Sequence, residues 1–196
     1  MASPAADRPR SDRQAGFLLV IGMVALMWVL EVVDSFSDVD DYGIQPREPD
    51  GLVGILTSPF LHGGWDHLIS NTIPFLAMGL GIALAGAVRV VAVTAIVMLV
   101  GGVGTWLVGP DNTNHIGASG VVFGYASYLL IRGFYNRSAL ELVMGLVVGV
   151  LWGSVLLGGL VPREGISWQG HLFGGIGGVV AARVLATRTP RSRAAA

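Results

Sequence analysis

Residues 117–128 read Gly117-Ala118-Ser119-Gly120-Val121-Val122-Phe123-Gly124-Tyr125-Ala126-Ser127-Tyr128, and the apolar run continues through Leu129-Leu130-Ile131. A small, potentially nucleophilic hydroxyl stands at the mouth of a segment otherwise suited to lipid. A serine alone in such a helix ordinarily bonds back to a carbonyl one turn earlier and does nothing else. Whether Ser119 does more depends on which other polar groups share its depth.

The surroundings are those of a membrane protein. Of 196 residues, 53% are hydrophobic and 13% charged, against roughly 25% charged in soluble domains. There is no cysteine, which excludes disulfides, thiolate nucleophiles and zinc–thiolate sites. Six apolar stretches cover residues 16–33, 68–88, 90–108, 118–131, 142–161 and 166–187. A span needs about 20 helical residues; five stretches suffice and the fourth, which opens at Ser119, is short. The first follows Arg8, Arg10 and Arg13, as a signal peptide would, but no small-residue cleavage site follows it, so a retained span is expected.

All basic residues are arginine, and their placement orients the chain. Threading six spans alternately puts Arg8, Arg10, Arg13, Arg89, Arg132, Arg137, Arg183, Arg188, Arg191 and Arg193 on one side. Only Arg47 and Arg163 fall on the other, with Asp34, Asp38, Asp40, Asp41, Glu48, Asp50 and Asp66. By the positive-inside rule both termini are cytoplasmic. The expected organisation is a cytoplasmic tail over residues 1–15, one six-span domain over 16–187 and a second cytoplasmic tail over 188–196, the tails unstructured.

In that threading the even-numbered spans run inward, so their N-terminal ends share one depth. They open on His67-Leu68-Ile69-Ser70-Asn71, on Gly117-Ala118-Ser119-Gly120 and on Trp168-Gln169-Gly170-His171. His67 and Asn71 share a helix face. Gly170, Gly174 and Gly178 form a small stripe matched by Gly120 and Gly124, and such stripes let helix backbones approach closely in lipid. If the stripes meet, Ser119 and His171 come within hydrogen-bond reach, and an imidazole that accepts the serine proton makes the hydroxyl a nucleophile. If the loop at 109–116 dips below the surface, the helix starts late and Ser119 sits submerged, and N–H groups at that start can face an oxyanion.

These features together resemble the rhomboid family of intramembrane serine proteases. The marks are Gly117-Ala118-Ser119-Gly120 opening the fourth span, His171 in a Gly-rich sixth span, and His67 with Asn71 opening the second, preceded by Phe60-Leu61-His62. The resemblance covers about residues 16–187 and implies an all-α, six-helix bundle in the cell membrane. It implies a Ser–His dyad with Ser119 as nucleophile and His171 as general base, then acid. The implied oxyanion hole is His67, Asn71 and the Ser119 N–H, with Gly117, Gly120, Phe123, Gly170, Gly174 and Gly178 supporting. Phe123 stands where an aromatic ring packs on the catalytic imidazole. The Trp-Arg pair that many relatives carry in the first outer loop is absent. Substrates would be membrane proteins cut in or beside a transmembrane helix, with the active site facing outward. No metal, cofactor or nucleic acid is expected, and the lack of an appended soluble domain suggests a minimal prokaryotic form.

Other readings weigh against this one. His-Glu-x-x-His is missing, which removes a common zinc protease motif; residue 121 is Val, which breaks the hydrolase elbow Gly-x-Ser-x-Gly. A non-proteolytic, client-binding relative is the serious alternative, although such proteins typically lack the Ser or the His. Asn71 can also serve as helix-packing glue, His62 as a structural hydrogen bonder in the outer loop, and His115 as a loop residue near the site.

Overall fold

The computed structural model describes residues 8–186. Six long helices build the molecule: α1 (Arg8–Asp34), α2 (Trp65–Ala83), α3 (Ala87–Val108), α4 (Ser119–Asn136), α5 (Ala139–Gly159) and α6 (Trp168–Val184). The loop between α1 and α2 adds short turns, including the four-residue helix Gly54–Thr57. The described residues contain no strand, only an isolated antiparallel bridge between Ile44 and His115.

Each expected apolar stretch contains a helix with ends shifted by a few residues. Helix α2 stops at Ala83 rather than running to 88, because Gly86 (φ 96°) turns the chain into α3. Two further boundaries differ for identifiable reasons. Helix α1 begins at Arg8, so residues 8–14, expected as an unstructured tail, are helical. Asp12 explains it: its Oδ1 accepts the Ala87 N–H (3.2 Å), capping the first turn of α3 just after Gly86. That contact ties the polar end of α1 into the fold. Residues 1–7 and the expected tail 188–196 lie outside the described residues. Helix α4 runs to Asn136 rather than ending near Ile131. Arg132, expected in a cytoplasmic loop, is buried on this helix. Its guanidinium pairs with the Glu141 carboxylate and lies 5.4 Å from the Tyr128 ring centre, while Asn136 Nδ2 donates to Glu141 Oε2 (2.7 Å). A paired and hydrogen-bonded charge is tolerated inside a bundle where a bare one is not. The helix stops where Arg137 adopts left-handed geometry (φ 52°).

Helix α4 is central and packs against α6, α5, α2 and α3, while α1 rests on α2 and α3. The core is filled by Tyr125, Tyr128, Phe75, Met27 and Leu68, and the buried Tyr125 hydroxyl bonds Thr94 Oγ1 at 2.6 Å. The α4–α6 contact is of another kind. A methyl on Gly174 would stand 2.1 Å from the Gly120 carbonyl oxygen, and one on Gly178 would stand 2.0 Å from that of Gly124. The two backbones touch, and Ser127 Oγ bridges them by donating to the Gly175 carbonyl (2.7 Å).

Among the described residues, Arg10–Asp34, Ala87–Val108 and Ala139–Gly159 are long and apolar enough to cross a membrane. Helix α5 exposes Leu140, Val143, Leu146, Val150 and Leu157, apolar surface of the kind that lipid covers. The bundle makes a testable demand on its seam. Gly178→Ala should destabilise the protein by about 1–3 kcal/mol through overpacking and lower the thermal midpoint in detergent. Gly22→Ala, where an added methyl meets nothing within 4 Å, should not; equal midpoints for the two variants would contradict the seam.

Candidate active site

Ser119 is the first residue of α4, and the chain that delivers it is anchored at successive backbone positions. His115 exchanges both main-chain bonds with Ile44 (2.9 Å each), and the Gly117 N–H donates to the Ser58 carbonyl (2.8 Å). The Ala118 N–H donates to His62 Nε2 (3.3 Å). Gly117 turns the chain with φ 112°, a conformation that disfavours any Cβ. A methyl there would also stand 2.6 Å from His67 Cε1. The first-turn N–H groups, those of Ser119 and Gly120 included, have no carbonyl partner within the helix and remain available to an anion.

His171 sits one turn into α6. Its Nε2 lies 2.8 Å from Ser119 Oγ, and its Nδ1 lies 2.7 Å from the Gly159 carbonyl oxygen. A carbonyl only accepts, so Nδ1 carries the proton. Nε2 therefore holds a lone pair, and Ser119 donates its hydroxyl to it. This is the tautomer a general base requires. The Phe123 ring stacks on the imidazole, with centroids 4.2 Å apart and planes 3° from parallel. Gly159 ends α5, where carbonyls lack helical donors; a methyl there would lie 2.7 Å from Phe123 Cζ and 3.0 Å from His171 Nδ1. Three helices thus define one imidazole: α4 by ring and hydroxyl, α5 by a carbonyl, α6 by its backbone.

His67 comes to the nucleophile's turn, with its ring against Gly117 and edge-on to His62 at 5.1 Å between centroids. Asn71 is buried one turn deeper, and its Nδ2 donates to the His67 carbonyl (2.9 Å) rather than to α4 or α6. Gly120 and Gly170 face each other across the α4–α6 contact, with the Gly170 carbonyl 3.2 Å from where a Gly120 methyl would be.

His62 is fully enclosed in the loop, and burial, then the neighbouring His67, pushes its pKa down to about 4. It is the neutral acceptor that the Ala118 N–H needs. Beside it, burial and then the nearby Asp34 and Glu31 push the Asp40 carboxyl up to about 6, with the His62 backbone N–H acting against them. Asp34 in turn accepts the Asp40 N–H (3.0 Å).

Several of these contacts leave no trace in residue spacing. The Gly159 carbonyl is a main-chain group and carries no side-chain signal. Arg47 and Trp106 clamp the α1–α2 loop to the end of α3: the Arg47 guanidinium pairs with Asp111, and Trp106 Nε1 donates to the Glu48 carbonyl (2.9 Å). An arginine and a tryptophan are each recognisable in the sequence, but their partners are loop groups far along the chain.

The Asp40 environment sets a pH test. Its pKa is higher folded than unfolded, so its favourable contribution is complete below about pH 4 and fades as pH rises through about 6. Asp40→Asn should therefore raise the thermal midpoint at pH 7.5 and give no gain at pH 3.5; a gain of equal size at both would show that ionisation is not the cause.

The family model for the Rhomboid domain matches residues 49–188. The chain is 43% identical over 189 residues to an uncharacterized protein of Mycobacterium tuberculosis (strain ATCC 25618 / H37Rv), covering 91% of this chain and 79% of the relative. An uncharacterized protein of Mycobacterium leprae (strain TN) is 40% identical over 190 residues, covering 91% and 75%. A Bacillus subtilis (strain 168) protein, provisionally named as the rhomboid protease YdcA, is 29% identical over 126 residues, covering 63% of this chain and 62% of its own. The matched region holds α2 to α6, and with it Ser119, His171, His67 and Asn71: this multi-pass membrane protein belongs to the rhomboid family.

Proposed function

We propose that the protein is an intramembrane serine endopeptidase that cuts membrane-protein substrates in or beside a transmembrane helix. The observation that carries this reading is the 2.8 Å contact from Ser119 Oγ to a His171 Nε2 whose lone pair is fixed by the Gly159 carbonyl. Family membership supports the reaction class, since rhomboids are in general proteases of this kind.

The proposed chemistry follows from the tautomer. As Ser119 Oγ bonds to the substrate carbonyl carbon, its proton passes to His171 Nε2. The imidazolium so formed keeps its Nδ1–H on Gly159 and its face on Phe123. The Ser119 N–H and the His67 side chain receive the developing oxyanion; Asn71 joins them once its amide rotates off the His67 carbonyl. His171 then returns the proton to the leaving amine, and the ester left on Ser119 is hydrolysed by water that gives its own proton to the same nitrogen. A helical substrate shields its carbonyls by internal hydrogen bonding, so the segment must unwind before attack.

Six crossings with both termini cytoplasmic are part of this reading. Arg13, Arg89, Arg137 and Arg183 belong to the ends of helices opposite Ser119 and His171, and the acidic loop around Asp40 lies on the site's side. The positive-inside rule then directs the active site outward.

Purified protein in liposomes, given a single-span substrate, should cleave it, with the cut mapped by mass spectrometry. Ser119→Ala and His171→Ala should each abolish cleavage while thermal melting persists; activity in either removes the dyad. Asn71→Ala should lower kcat by about 10²–10³, the range for one oxyanion donor, and an unchanged kcat removes Asn71 from the hole. A folded wild type that binds helices without cutting them would favour the client-binding alternative.

A further inference from the structure

The loop over residues 109–116 carries a polar chain that the proposed reaction does not use. Thr113 Oγ1 lies 2.6 Å from the Pro110 carbonyl oxygen and 2.9 Å from His115 Nε2. His115 Nδ1 lies 2.6 Å from Ser167 Oγ, and Ser167 Oγ accepts the Gly170 N–H at 3.3 Å.

One orientation satisfies every link. The Pro110 carbonyl only accepts, so Thr113 donates to it. Thr113 can then only accept from His115, which puts the proton on Nε2. Nδ1 is left with a lone pair, so Ser167 must donate its hydroxyl. Ser167 is the N-cap of α6, and its carbonyl also accepts the His171 N–H (3.1 Å). Burial lowers the His115 pKa, which keeps the ring in the neutral form this chain requires.

We propose that His115 is a positioning residue for the dyad, locking the loop that delivers Ser119 to the helix cap that delivers His171. This rests on the proteolytic reading above and extends it. The main chain of residue 115 is bonded twice to Ile44 in the first outer loop, and its side chain is bonded to α6. The segment bearing the nucleophile is therefore tied to the segment bearing the base, independently of the glycine seam deeper in the bundle. Without this tie the hydroxyl and imidazole remain neighbours but lose their mutual alignment, and a 1 Å misplacement can lower a rate about 10²-fold.

A glutamine discriminates alignment from bulk. Its amide offers an acceptor and a donor flanking one carbon, as Nδ1 and Nε2 flank Cε1, whereas phenylalanine offers only volume. The test measures fluorophosphonate labelling of Ser119, with kcat and KM on a single-span substrate, in the purified full chain. His115→Phe should lower labelling and kcat about ten- to a hundredfold with KM little changed, and His115→Gln should restore most of both. Ser167→Gly deletes the hydroxyl while keeping an accepted N-cap residue. It should match His115→Phe and replaces it in the comparison if that variant does not fold. Labelling by His115→Phe at the wild-type rate, a His115→Gln no better than His115→Phe, or a loss confined to KM would each overturn the inference alone. Failure of the wild type itself to label or cleave would overturn the proteolytic reading and this inference with it.

Discussion

The direct contact between the backbones of α4 and α6 is the constraint on which the rest depends. In lipid, apolar side chains gain little by leaving one apolar solvent for another, so helices hold together by close packing and hydrogen bonds. Gly174 and Gly178 leave the Gly120 and Gly124 carbonyls room to sit where side chains would otherwise be. That separation lets a serine, one of the shortest polar side chains, reach an imidazole on the neighbouring helix. A methyl at Gly174 or Gly178 would stand 2.1 or 2.0 Å from a main-chain oxygen, so the helices would have to part to admit it.

The site is assembled almost entirely from neutral groups. His171 is oriented by a carbonyl rather than a carboxylate, His62 is a buried neutral acceptor, and His115 works between two hydroxyls. In a low-dielectric setting an unpaired buried charge is far more costly than a hydrogen-bonded neutral group. Helix ends supply such groups without added side chains: α5 offers its last carbonyl, α4 its first N–H groups, and α6 a serine cap. Among the described residues the charge pairs sit away from Ser119 and His171, Arg47 with Asp111 beyond the end of α3 and Arg132 with Glu141 at the opposite end of the bundle.

The loop between α1 and α2 is a scaffold for the segment that carries Ser119. Ile44, Ser58 and His62 each hold one backbone position between residues 115 and 118, and Arg47 and Trp106 fasten that same loop to α3. Ser119 is consequently held by non-helical backbone on one side and by a helix on the other. The polar backbone groups of this irregular segment find protein partners.

What the sequence by itself determined was everything that depends on local periodicity. The apolar lengths marked six helices, and spacings of three or four residues put Gly170, Gly174 and Gly178 on one stripe. The openings of three segments put His67, Ser119 and His171 at one level, and residues 117–120 with 171 carried the family resemblance. Tertiary structure alone decided which backbone atom orients His171, how Asp12 caps a helix whose first residue lies 75 positions away, why Arg132 stays helical, and that His115 meets Ser167. The physical reason is common to these cases. A helix face follows from 3.6 residues per turn, but a carbonyl, a cap or a loop imidazole finds its partner only after whole helices have settled against one another.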